Sequence, residues 1–319
     1  MKNETFRLPR ILAFRIGYYI NSSISIDVRN RIIEDEFEEE KMKPTGIAEH
    51  LMFTTIRLLA DNGTCGTGYF FNFMFENYSV PVIITNKHVV NHNPYESMTF
   101  QVHLTEDGET DEGNHSVKLD THWHFHSTKD LCFTYCQALF QEIPKITGKS
   151  VFHRDIDTSL IYDTERLKNL SIMEPVVMIG YPNGLWDYKN NYPIFRYGFT
   201  ASHPGYDFNE DGIGLIDAAC FPGSSGSPIF ILNEGGYREK DGKTVLGPSR
   251  IIFLGTLFAG PHYDAEGRIV IKNIAEIPVA QTKMMLNLGC YIKAYEIKEF
   301  EETIKQELSR LDTTFGNSC

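Results

Sequence analysis

The sequence predicts an all-β chain, a sandwich or barrel in each of two series of strands, finished by one C-terminal helix. Three observations carry this. From His50 onward, short apolar segments alternate with turn residues in two series, one ending near Tyr135 and one beginning near Pro175. The loops at 203–212 and 233–249 are rich in Gly, Asp, Asn and Pro, as hairpin connections are. Over Glu296–Leu308, the apolar residues Ile297, Phe300, Ile304 and Leu308 recur at helical spacing, so one face packs on the body.

The elements follow in order. Residues 1–46 form an N-terminal extension of no assigned role, closed by Lys43-Pro44-Thr45-Gly46, with an acidic run from Glu34 to Glu40 that reads as a solvated face. Residues 47–145 hold the first barrel, with strands expected at Leu51–Leu59, Gly66–Phe75, Val80–Thr85, Thr99–Leu104, Val117–Phe125 and Leu131–Tyr135. Residues 146–174 connect the barrels. The second, 175–293, holds Val176–Gly180, Ile194–Ala201, Gly214–Ala218, Pro228–Leu232, Ile251–Phe258 and Ile269–Ile271. Residues 294–319 are the helix and tail.

Composition narrows the function. The 319 residues carry a net charge of −12, and no basic stripe stands out, which argues against a nucleic-acid partner. The longest apolar run, Ile251–Gly260, is too short for a membrane span and reads as a buried strand. No export signal is visible, so a cytoplasmic location and reduced thiols are expected for the 6 sparse cysteines.

Two segments carry chemistry. In Phe221-Pro222-Gly223-Ser224-Ser225-Gly226-Ser227-Pro228, glycines let the backbone turn sharply around the serines. In Val82-Ile83-Ile84-Thr85-Asn86-Lys87-His88-Val89-Val90, an apolar strand ends in a histidine, which can be held at a barrel rim to take a proton. Either alone is commonplace: a Gly/Ser turn, or a half-buried structural histidine. Together, in one chain and in this order, they are specific.

The pair resembles the trypsin-like (chymotrypsin-fold) serine peptidases, in Gly-x-Ser-Gly-x-Pro and Thr-x-x-His-Val, over roughly residues 50–295. The resemblance is nearest to bacterial intracellular types such as glutamyl endopeptidases and HtrA catalytic domains. It implies two six-stranded antiparallel barrels, Ser225 as nucleophile, His88 as general base, and an oxyanion hole of the Gly223 and Ser225 amides. The orienting carboxylate is open between Asp130, in Lys129-Asp130-Leu131-Cys132, and Asp157, in Asp157-Thr158-Ser159-Leu160, with Asp155 below both. Spacing favours Asp130, which lies 42 residues after His88, room for the strands that finish a barrel. The order His88, Asp130, Ser225 is then that of chymotrypsin.

The resemblance further implies an S1 pocket of Ala219, Cys220 and Phe221, with Phe258, Ala259 and Gly260 running along a bound peptide. No Asp occupies the pocket base, and Leu257 stands where glutamyl endopeptidases carry a carboxylate-binding His, so an apolar or small P1 side chain is expected. Ser224 replaces the Asp of zymogen-type members, which removes their activating salt bridge.

Other readings compete. His122, His124 and His126 share one face of a strand and could ligate zinc, but one strand spaces them too widely, and a solvated histidine face opposite Trp123 and Phe125 is expected instead. No cofactor is expected. A hydrolase order of Ser225, Asp241 or Asp264, and His262 fails on Ser227, where a nucleophile elbow wants Gly. A non-catalytic or partner-gated binding module keeping the same fold is the remaining alternative. The expected partner is a protein or peptide substrate, with no membrane and with any regulator unknown.

Overall fold

The computed structural model describes residues 44–316 except 77, 107, 111, 112, 261 and 269–278; for 262–285 and 310–316 only the backbone is described. The acidic run, most of the N-terminal extension and the strand expected at Ile269–Ile271 lie outside the described residues. Among them, no helix is long and apolar enough to cross a membrane.

The described chain opens with a short helix, α1 (Ile47–Met52), where a strand was expected from Leu51. The reason is local. Glu49 reaches back to accept from the backbone N–H groups of Thr45 and Gly46, at 2.5 and 3.0 Å, and this capping contact nucleates a turn. Nine strands follow: β1 (Thr55–Ala60), β2 (Cys65–Met74), β3 (Ser79–Thr85), β4 (Ser97–Thr105), β5 (His115–Asp120), β6 (His124–Phe125), β7 (Cys132–Tyr135), β8 (Ser150–Phe152) and β9 (Ile156–Asp157). They form one sheet in the order β5-β4-β1-β2-β3-β7-β6, with β8 added to β4 and β9, in parallel, to β2.

This sheet is open, which corrects the expectation of a closed six-stranded first barrel. The expected strand Val117–Phe125 is broken at residues 121–123, because Trp123 turns into the core (1% exposed). Its amide donates to Pro94 O at 2.7 Å and its indole N–H to Glu96 O at 3.1 Å, anchoring the chain to the β3–β4 loop rather than to a neighbouring strand. Hence β5 and β6 stand at opposite edges of the sheet.

Two helices unforeseen in the sequence, α2 (Gln137–Thr147) and α3 (Thr164–Lys168), lead to the second half. There β10 (Pro175–Gly180), β11 (Ile194–Thr200), β12 (Ile213–Asp217), β13 (Pro228–Asn233), β16 (Arg250–Ala259) and β19 (Leu288–Lys293) close into a six-stranded antiparallel barrel, as expected. The closing strand β19 falls outside the segments foreseen. Two hairpins project from the barrel: β14 (Gly236–Arg238) with β15 (Thr244–Leu246), and β17 (His262–Arg268) with β18 (Val279–Met285).

Alternation along the strands sorts the apolar residues into three cores. Ile56, Leu58, Phe100 and Trp123 fill the first sheet's inner face, and Met178, Ile216, Ile231 and Leu254 fill the barrel. Between the two halves, Tyr69, Phe71, Phe133, Phe230 and Phe253 meet, and Tyr69 Oη lies 2.7 Å from Thr256 Oγ1 across the seam. Helix α4 (Lys298–Gly316) covers this seam with Phe300 and Ile304, both buried. Each fully buried side chain of that size contributes about 1.5–3 kcal/mol, so the helix is part of the body rather than an appendage.

His103, on β4, is buried between Phe53 and Tyr192, whose rings lie 5.0 and 5.8 Å away. Burial pushes its imidazole from 6.5 down to about 4. The unfolded chain therefore binds a proton that the fold refuses between those values, so stability falls as pH drops from 6.5 towards 4, by up to about 3 kcal/mol. Urea midpoints measured at pH 7 and pH 4 should show this loss in wild type and a smaller one in His103→Phe. Equal losses would remove His103 as the cause.

Candidate active site

The histidine follows directly on β3, in a helical turn where Val89 N donates to Asn86 O and Asn91 N to His88 O. Pairing of β3 with β7 sets Thr85 opposite Cys132. That register puts His88, three residues past Thr85, beside Asp130, two residues before Cys132. The contact is double: His88 Nδ1 lies 2.5 Å from Asp130 Oδ2, and His88 N donates to Oδ1 at 3.2 Å. Asn86 Nδ2 adds a bond to the Asp130 carbonyl at 2.7 Å. An acceptor-only carboxylate at Nδ1 leaves Nε2 as the free proton acceptor of the neutral ring.

The other two carboxylates are engaged elsewhere. Asp157 caps a 3₁₀ turn by accepting from Ser159 N at 2.7 Å, and Asp155 Oδ1 lies 2.9 Å from His153 Nδ1. Asp241 pairs with Lys243 at 2.8 Å on an exposed loop.

The serine segment precedes β13. Phe221–Ser224 forms a tight turn, with Ser224 N donating to Phe221 O at 3.0 Å, Pro222 at the second position and Gly223 (φ +88°) at the third. Those are the residue preferences of a type II turn. The Pro222 carbonyl accepts from Asn183 N, and because a trans peptide sets C=O and N–H opposite, the Gly223 N–H points away from that contact. Neither Gly223 N nor Ser225 N has a backbone acceptor among the described residues. Of the three serines, Ser224 and Ser227 are buried and Ser225 is partly exposed. Its hydroxyl makes no hydrogen bond with another described residue.

Thr67 on β2, unnoticed in the sequence, joins the two halves. Its N–H donates to Ser225 O at 2.9 Å, its hydroxyl donates to Gly223 O at 3.1 Å, and the same hydroxyl accepts from Tyr181 N at 3.1 Å. Thr67 O in turn accepts from Thr85 Oγ1, on the histidine's own strand, at 2.7 Å. The approach is so close that a Cβ at Gly226 (φ +86°) would sit 1.8 Å from Thr67 O, which explains the glycine after Ser225. A short Cys65-Gly66-Thr67-Gly68 run was the one visible signal of a close backbone approach.

The segments assigned to substrate are brought together in part. A Cβ on Gly260 would lie 3.3 Å from Cys220 Cβ, so the ends of 219–221 and 258–260 face each other. Burial pushes the Cys220 thiol up to about 12, which keeps it neutral and inert. Arg196, on β11, places its guanidinium carbon 4.8 Å from the Phe221 ring centre, a cation against one of the residues assigned to substrate.

The three histidines are not brought to one open face. The His122 and His124 rings meet edge to face at 4.4 Å, while His126 is buried. The solvated histidine face is thus corrected: Glu299 and Glu307 of α4 lie against His126 and His124, at 3.3 and 3.1 Å. No group of three or more His, Cys, Asp or Glu among the described residues is arranged to hold a metal ion.

No family model matches the chain, and no curated protein is similar to it in sequence. Among solved structures it is similar to the serine protease of a human pathogenic astrovirus, at 13% identity and a TM-score of 0.37, covering 76% of this chain and 89% of that one. It is also similar to the thermostable serine protease AL20 of an extremophilic microorganism, at 12% identity and 0.38, covering 77% and 93%. Likeness at this distance leaves the activity to be argued from the residues.

Proposed function

We propose that the protein is a serine endopeptidase of the trypsin-like kind. The observation that supports this most is the double contact of Asp130 with His88, which aims a proton-accepting Nε2 away from the carboxylate, on the strand that Thr67 ties to the Ser225 loop. In this reading, Nε2 takes the Ser225 proton as Oγ attacks the scissile carbonyl. The oxyanion forms against the Gly223 and Ser225 amides, which have no backbone acceptor among the described residues to give up. The imidazolium, stabilised by Asp130, then protonates the leaving amine, and water resolves the acyl-enzyme by the same steps in reverse.

The test is covalent. A fluorophosphonate should label wild-type protein at Ser225, since a hydroxyl that gives its proton to a base attacks phosphorus readily. A chain that folds but takes no label and cleaves no peptide would instead be the non-catalytic or partner-gated module. Because Ser, His, Asp and two amides supply every role, hydrolysis should also survive EDTA and a reducing agent together. Loss on chelation with recovery on adding zinc would transfer function to the histidines at 122–126.

A further inference from the structure

The loop that presents Asp130 is folded around one imidazole. His126 N donates to Leu131 O at 3.0 Å, closing the base of the loop. Inside it, His126 Nδ1 accepts the N–H groups of Thr128 and Lys129, at 3.2 and 3.0 Å. A ring nitrogen that accepts two amide protons carries none itself, so the proton sits on Nε2. Nε2 faces Glu296 O at 3.2 Å and Glu299 Oε2 at 3.3 Å, both at the start of the C-terminal helical segment. Glu299 also accepts from Ser127 N and Ser127 Oγ, at 2.6 and 2.7 Å, and Lys129 Nζ donates to Asp211 O at 2.5 Å. The ring itself lies edge-on to Phe300, 5.7 Å away.

We infer that His126 is a positioning residue for Asp130: its neutral imidazole shapes residues 126–131, with α4 as the fixture, so that Asp130 meets both His88 N and His88 Nδ1. This rests on the reading of Asp130 as the group that orients His88. The shape is lost if His126 gains a second proton, because Nδ1–H would then oppose two amide N–H groups. Burial holds the imidazole below its ordinary value, against the pull of Glu299 and the Glu296 carbonyl. The other charges that face it are Glu296 from the turn before α4, Lys87 from the His88 turn and Lys129 from its own loop.

Two variants separate shaping from mere packing. His126→Asn keeps an acceptor, since an Asn side chain bonds the amides two and three residues on, whereas His126→Phe keeps the aromatic packing on Phe300 and has no acceptor. With a peptide substrate, His126→Phe should lose about 10²-fold in kcat at little changed KM, the cost of a misplaced catalytic group, while His126→Asn stays within a few-fold of wild type. Below the ordinary histidine range, where His126 takes its second proton, log kcat/KM should fall more steeply in wild type than in His126→Asn. Wild-type kcat in the Phe variant, or equal losses in both variants, overturns the inference. Should the Phe variant fail to fold, a wild-type steepness persisting in His126→Asn overturns it and a shallower limb supports it. If wild type itself neither labels nor hydrolyses, the peptidase reading falls first and this inference with it; an active wild type beside an unimpaired Phe variant sinks the inference alone.

Discussion

Ser225→Ala is expected to lower kcat by about 10⁶-fold while leaving KM and thermal stability close to wild type. The loss follows from removing the nucleophile, after which only substrate binding and the oxyanion amides remain to accelerate hydrolysis. The fold should be untouched, because the Ser225 hydroxyl makes no hydrogen bond with another described residue, and the loop is held through its backbone, by Thr67 N on Ser225 O. Ser227→Ala is the matched control. That side chain is buried against Gly180, where an added Cβ would lie 2.0 Å from Ser227 Oγ, so it packs rather than reacts. Steady-state kinetics with fluorophosphonate labelling read both variants. Labelling that persists in Ser225→Ala, or that vanishes only in Ser227→Ala, would remove Ser225 from the role.

Asp130→Asn should cost about 10⁴-fold in kcat at neutral pH. The carboxylate accepts at His88 Nδ1, whereas an amide can turn an N–H donor to the same nitrogen and so move the ring's proton to Nε2, where the base must be free. Backbone support survives, since an amide oxygen can still accept from His88 N and the β3–β7 pairing is unchanged. Asp157→Asn should change kcat only a few-fold, because an amide oxygen can still cap Ser159 N. Circular dichroism on both variants guards against misfolding. If Asp157→Asn were the more damaging, the orienting role would pass to Asp157.

These predictions rest on information of two kinds. The sequence by itself determined the local pieces: an apolar strand running into His88, the Pro-Gly turn before Ser225, and the apolar stripe of Phe300 and Ile304 on the last helix, with Ile297 in the turn before it. Period-two and period-3.6 patterns, and glycine at positive φ, depend on neighbours within a few residues, so one chain read in isolation displays them. Which aspartate meets His88 is not of that kind. It depends on β3 pairing with β7 so that Thr85 lies opposite Cys132, a register between segments far apart in the chain. The open first sheet likewise follows from Trp123 bonding to Pro94 and Glu96 across a loop. Thr67 looks like any strand threonine until the two halves meet, and His126 like any solvent-facing histidine until Glu299 arrives from the far end of the chain. Contacts of this sort are fixed only when the cores pack, because their partners are chosen by tertiary geometry and leave no periodic trace in the residues that make them.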